Sequence, residues 1–115
     1  TNVENKTREN NDGYVIKVET RKEYNIEKVE ERGEVTVGDP KLSEDKNFAF
    51  HFNAPIGQVI MVTNPKNSKT VFVKIVGNFP RSENSSQIIK LSSFSASQIG
   101  IASKDKVILS YAIAR

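Results

Sequence analysis

GQVIMVTNPKNSKTVFVKIVGNFP, residues 57–80, places two β-rich runs on either side of a turn. Gln58 to Thr63 and Val71 to Val76 are dense in β-branched residues, and Asn64-Pro-Lys-Asn-Ser68 between them supplies turn chemistry, so the pair reads as a hairpin. Pro80 cannot donate to a ladder, and Gly77-Asn-Phe-Pro80 closes the second strand. Downstream, Ile88 to Leu91 is a further strand. Ser92 to Ile99 reads as a brief helix: the Ser92 hydroxyl can accept from free backbone N–H groups, and Gly100 suits the left-handed position past its end. Val107 to Ile113 alternates, with Val107, Leu109, Tyr111 and Ile113 on one face. Upstream, Phe48-Ala-Phe-His-Phe52 alternates as well. Three phenylalanines on one side predict that Phe48, Phe50 and Phe52 face the core, with His51 turned towards a groove or solvent. Several short strands with one two-turn helix imply a closed or nearly closed barrel, not a parallel βαβ sheet.

The front of the chain is different. Residues 1–13 contain a single apolar side chain, Val3, too little to offset the entropy of ordering, and read as a flexible linker. Tyr14 to Val18 is a plausible strand, so residues 14–32 are expected to form an extension with at least one strand. Glu23 to Arg32 fits a strand or a short charged helix equally well. Val35-Thr-Val37 is a short strand stopped by Gly38-Asp-Pro40.

Charge divides along the same line. Residues 1–47 carry 9 Lys or Arg against 12 Asp or Glu, and residues 48–115 carry 8 against Glu83 and Asp105 alone. A basic body favours anionic partners. The basic residues are interspersed and accompany no recognition motif, which argues against nucleic acid. With no Cys and one His there are no disulfides, no thiolate nucleophile and no convincing metal set; no metal or cofactor is expected. No apolar run reaches membrane-spanning length. The sequons at Asn5 and Asn84 are short enough to be chance. A chain beginning at Thr1 reads as a fragment or a processed form.

The stretch Gly57–Pro80, then IIKLSSFSASQIGI (Ile88–Ile101), then VILSY, resembles the rare-lipoprotein-A-like double-psi β-barrel family. That family shows G-T-x-V-x-V-T-N, then N-G-K-x-V-x-V-x-V, a D-R-G-P turn, I-D-L-S, a short helix ending L-G, and a last strand. Its upstream A-x-H-x-x-x-P-x-G element is matched by Ala49-Phe-His51 and Pro55-Ile-Gly57, and Arg32–Val35 stands at its opening strand. The resemblance implies a six-stranded double-psi barrel over residues 33–115 with one short helix. It also implies a periplasmic or cell-envelope setting, since such domains often follow LysM repeats or a lipoprotein signal.

In the family's enzymes the chemistry is lytic cleavage of peptidoglycan glycan, which depends on the Asp of D-R-G-P. Breaking a glycosidic bond requires a proton donor at the departing oxygen, and a partly buried Asp can serve. Aligned on Pro80, that Asp falls on Gly77, the Arg on Asn78 and the Gly on Phe79, while the Asp of I-D-L-S falls on Lys90. Both carboxylates are missing. The expectation is therefore a non-catalytic module binding peptidoglycan glycan or anchoring an envelope assembly. Its candidate groove comprises His51, Asn53, Lys74, Gly77, Asn78, Phe79 and Lys90. Phe79 is either a sugar platform or a core residue, and His51 either a sugar contact or a half-exposed strand residue. Two alternatives remain: a structural subunit docking on another envelope protein, through the Tyr14–Val18 strand for example, and an enzyme whose acid has moved to Glu83.

Overall fold

The computed structural model describes residues 3–9, 15–21, 26–82 and 84–114, with 3–9, 15–21 and 114 described by backbone alone. Among these, the strands are β1 (Val3–Glu9), β2 (Val15–Arg21), β3 (Ile26–Val37), β4 (Phe48–His51), β5 (Val59–Thr63), β6 (Thr70–Asn78), β7 (Gln87–Leu91) and β8 (Lys106–Ala114). The single helix, α1 (Ser93–Ile99), lies between β7 and β8. Six strands follow one another in the order β3-β7-β4-β6-β5-β8, and β8 returns to β3, closing a barrel. The β3–β7 and β4–β6 contacts are parallel and the rest antiparallel.

The 12-residue β3 serves two neighbourhoods. Its last residues, Glu34 to Val37, lie beside β7, and its first, Ile26 to Glu31, lie beside β2. The undecided Glu23–Arg32 segment is thus strand wherever it is described. Over residues 3–9 the expected linker gives way to β1, which pairs with β2 from Val3↔Arg21 to Glu9↔Val15. β1 is the edge of the sheet, so its ladder to β2 pairs the backbone groups on one side only. Tyr14 and residues 1, 2 and 10–13 lie outside the described residues.

The interior follows the alternation of the central hairpin. Val71, Val73 and Ile75 are buried and Thr70, Phe72 and Lys74 exposed. Ile60 and Val62 join them from β5, as do Ile88, Ile89 and Leu91 from β7 and Val107 and Leu109 from β8. Each such side chain is worth roughly 1.5–3 kcal/mol on full burial. The helix packs on β6 and β7 and contributes Ala96 and Ile99 to the same core. Ser92 caps it by accepting from Ser95 N, and Gly100 ends it at φ 66°. The β5–β6 turn reaches over to this end, where Asn64 Nδ2 and Asn67 Nδ2 donate to the Ile99 carbonyl at 2.8 and 3.1 Å. The turn that makes the hairpin therefore also caps the helix.

The expected facing of β4 is reversed. Ala49 and His51 are fully buried, while Phe48 and Phe50 are half-buried on the other side and Phe52, past the end of β4, is half-buried against the core. A six-stranded barrel has a narrow interior, already filled by isoleucine, leucine and valine, and it admits a small alanine where a benzyl ring would overpack. The two phenylalanines of β4 itself instead stay outside that interior. Phe50 lies against Gly77, where an added β-carbon would stand 3.0 Å from its Cδ1 and Cε1. Phe52 stacks on the His51 ring with centroids 4.4 Å apart.

Candidate functional site

His51 ends β4 and is the hub of the region. Its Nδ1 accepts from the backbone N–H groups of Asn53 and Ala54, at 3.1 and 2.9 Å. Two donors aimed at Nδ1 leave no place for a hydrogen there, so the ring is the Nε2–H tautomer. That hydrogen goes to Glu31 Oε1 at 2.7 Å. The Tyr111 hydroxyl donates to the same oxygen at 3.1 Å, and the Tyr111 ring meets the His51 ring edge-on. Glu31 and His51 are 1% and 0% exposed. A buried carboxylate is tolerable only when its charge is answered by donors such as these.

The carbonyl of His51 is engaged too. Asn78 Nδ2 donates to it at 2.9 Å and to the Ala54 carbonyl at 2.8 Å, and Phe79 N donates to it at 3.3 Å. One residue thus ties β3, β4, β8, the end of β6 and the turn after β4. With both ring nitrogens occupied and the ring out of solvent, His51 is placed to hold structure and not to meet a substrate.

The other predicted groove residues divide. Asn53 and Lys74 are exposed, but Lys74 lies across from Phe48, at the opposite end of β4 from His51. Asn78 is exposed as a residue, yet its amide is committed to the two carbonyls. Phe79 is 8% exposed, which makes it a core residue and not an open sugar platform. Lys90 Nζ sits 5.1 Å from the Phe79 ring centre and 3.6 Å from Asp39 Oδ2. Gly77 faces the Phe50 ring. His51, Asn53, Asn78 and Phe79 therefore meet at one end of the barrel, Lys90 joins through the Phe79 ring, and Lys74 stands apart. Glu83 lies outside the described residues. No three His, Asp or Glu among the described residues cluster to hold a metal ion.

Glu31 and Tyr111 were not among the expected residues. The signal for Glu31 was its phase: read as a strand, Val29, Glu31, Gly33 and Val35 share a face, and a carboxylate in an inward row demands a partner.

No family model matches the chain, and no curated protein matches it. The likeness to the rare-lipoprotein-A-like domains rests on the quoted motifs alone. Among the described residues no helix is long and apolar enough to cross a membrane, a fact that does not bear on strands.

A second surface is open. β3, β5 and β8 border a shallow concavity of about 510 Å³, lined in part by Lys28, Val29, Met61, Ser110, Tyr111 and Ala112. Beside it Phe72 is 62% and Val59 50% exposed. The β5–β8 ladder stops at Met61↔Ser110, and beyond it the Gln58 amide bridges the strands by donating to the Val59 and Ala112 carbonyls.

Proposed function

We propose that this chain is a non-catalytic docking domain that holds a protein partner, within a cell-envelope assembly of the kind in which rare-lipoprotein-A-like barrels occur. The observation that carries this reading is the contrast between its two surfaces. At the β4 end, His51 and Phe79 are buried, the Asn78 amide is occupied and Gly77 is covered by Phe50, so little is left to grip or cleave a glycan. On the outer face, Phe72, Val59 and Met61 present apolar surface beside a concavity, a combination typical of interaction sites. The two parallel strand contacts are in keeping with a double-psi topology, and the motif order supports the envelope setting.

The test is a photo-crosslinking residue at Phe72, compared with the same residue at exposed Lys104, in cells and in envelope fractions. A defined adduct at position 72 and none at 104 supports docking. Peptidoglycan binding is the second reading, favoured by the exposed Asn53 and Lys74 and the basic body. Retention on purified sacculi, lost on Asn53→Ala and unaffected at Phe72, would establish it in place of docking.

A further inference from the structure

The barrel closes on itself, but the sheet continues past it. From the first half of β3, β2 and then β1 extend outward, and the sheet ends at β1. Every residue of β1 has a partner on β2, and among the described residues no strand lies along its other side. Residues of an antiparallel strand direct their N–H and C=O groups alternately to one neighbour and to the other. About half of the backbone groups of β1 therefore face outward, a row of donors and acceptors set to receive one more strand. The segment expected to dock, Tyr14 to Val18, belongs over its described part to β2, which is enclosed between β1 and β3. The free edge is one strand further out.

Charge decides what that edge can receive. Edges are commonly protected by charged residues, and β1 carries Glu4, Lys6, Arg8 and Glu9 within VENKTRE. Charges of one sign would repel any second copy of the strand. Here both signs occur, so the charges select a register instead. Two copies in antiparallel contact are related by a two-fold axis, which sets one residue opposite its own counterpart. An axis at Glu4 sets glutamate against glutamate. At Lys6 it sets lysine against lysine, and at Thr7 it sets Lys6 against Arg8 twice. An axis at Asn5 sets Glu4 opposite Lys6 twice and Val3 opposite Thr7 twice, and over residues 3–7 no like charges meet. Opposite charges directly across a strand pair contribute roughly 0.2–1 kcal/mol each, and like charges destabilise.

From this edge we infer that two copies of the chain associate through β1, antiparallel and centred on Asn5, joining their sheets edge to edge. The inference is independent of the docking reading, which concerns the outer face and not the edge. A pairing this short buries far less than a standard interface, so the dimer is weak, with a Kd of roughly 0.1–1 mM.

The chain has no cysteine, so one introduced thiol reports on its own position. Across the proposed axis the two copies of residue 5 have α-carbons about 4.5–5.5 Å apart, within disulfide reach. The two copies of residue 7 are roughly 14 Å apart, beyond it. Under mild oxidation Asn5→Cys is expected to be trapped as a disulfide dimer at least about tenfold faster than Thr7→Cys. Sedimentation velocity of the parent chain should show dimer growing between about 10 µM and 1 mM. Glu4→Lys and Lys6→Glu each set like charges across the axis and should stay monomeric. Mixing these two variants should restore pairing, since each then presents the charge that the other lacks, and that restoration shows that neither change has undone β1. A parent chain monomeric up to about 1 mM overturns the inference, as does a dimer indifferent to both charge changes, a mixture that stays monomeric, or equal trapping at positions 5 and 7. A monomeric chain whose photo-crosslinking residue at position 5 captures a different protein overturns it in favour of a partner's strand on the same edge.

Discussion

The His51 ring donates its Nε2 hydrogen to Glu31 Oε1 across 2.7 Å, with both side chains withdrawn from solvent. This contact joins the first barrel strand to the second, and Tyr111 on the last strand donates to the same oxygen. Removing either partner strands the other. Glu31→Leu leaves a buried imidazole N–H without an acceptor, and His51→Leu leaves a buried carboxylate that has lost the imidazole and keeps the Tyr111 hydroxyl. Leaving a buried donor or acceptor unsatisfied costs about 1–3 kcal/mol, and more where the group is charged. Each single variant is expected to lose stability of that order in urea denaturation. The double variant should lose clearly less than the sum, because it removes the orphaned group along with its partner.

Tyr111→Phe is the milder probe of the same cluster. It keeps the ring that meets His51 edge-on and removes one hydrogen bond to a charged acceptor, worth roughly 1.5–3 kcal/mol. The barrel should remain folded, with the His51 Nε2 proton resonance shifted. An unchanged resonance and unchanged stability would show that the hydroxyl contributes nothing to Glu31.

The opposite ends of the molecule differ in how far they could be read from residues alone. The central hairpin, the short strand before the helix and the Ser92 and Gly100 caps are local matters: turn residues, alternation and cap chemistry lie within a few positions of one another. The facing of β4 is not local. Alternation separates Phe48, Phe50 and Phe52 from Ala49 and His51, but which set points inward depends on the width of a barrel closed by strands far away in sequence. The weight of three aromatic rings pointed the wrong way. The Glu31–His51 contact spans 20 positions and Tyr111–Glu31 spans 80, so neither is visible until the barrel closes. Motif order did bring His51, Asn53, Asn78 and Phe79 to one place, yet it could not show that their polar groups are spent on one another.

Acid should expose a smaller electrostatic contribution at the β3–β8 seam. The Ser86 hydroxyl and the Lys106 ammonium donate to the Glu34 carboxylate and hold its pKa below the ordinary glutamate range. A pKa lower in the folded than in the unfolded chain adds stability at pH values above the unfolded one. That stability is lost as pH falls through the folded value. Glu34→Gln should therefore flatten the decline in stability below about pH 4.5, and leave a small loss at neutral pH. Because Lys106 is largely exposed, the neutral-pH difference should shrink in high salt. A parallel decline in the two proteins between about pH 5 and pH 3 would show that Glu34 is uninvolved.

Gly77 is where the question of catalysis can be put most directly. The motif alignment sets it at the position of the family's catalytic Asp, so Gly77→Asp is the obvious attempt at restoring a proton donor. The fold argues that it fails. A β-carbon there stands 3.0 Å from two atoms of the Phe50 ring, so the ring must give way before a carboxylate can be placed at all. Overpacking of this kind costs about 1–3 kcal/mol. The nearby His51 cannot assist, since both of its nitrogens are committed, and general acid help is worth roughly 10²–10⁴ in rate. Gly77→Asp is expected to be less stable than the parent and to release no anhydro-muropeptides from intact or peptide-stripped sacculi, as read by mass spectrometry. Gly77→Asp with Phe50→Ala removes the obstructing ring and should recover the overpacking cost, at the expense of the half-buried contact that Phe50 made. It should remain inactive, because clearing the space does not free His51 or open a groove around it. Anhydro-muropeptides from the parent chain, abolished by Glu83→Gln, would instead mark an enzyme with a displaced acid and refute the non-catalytic reading.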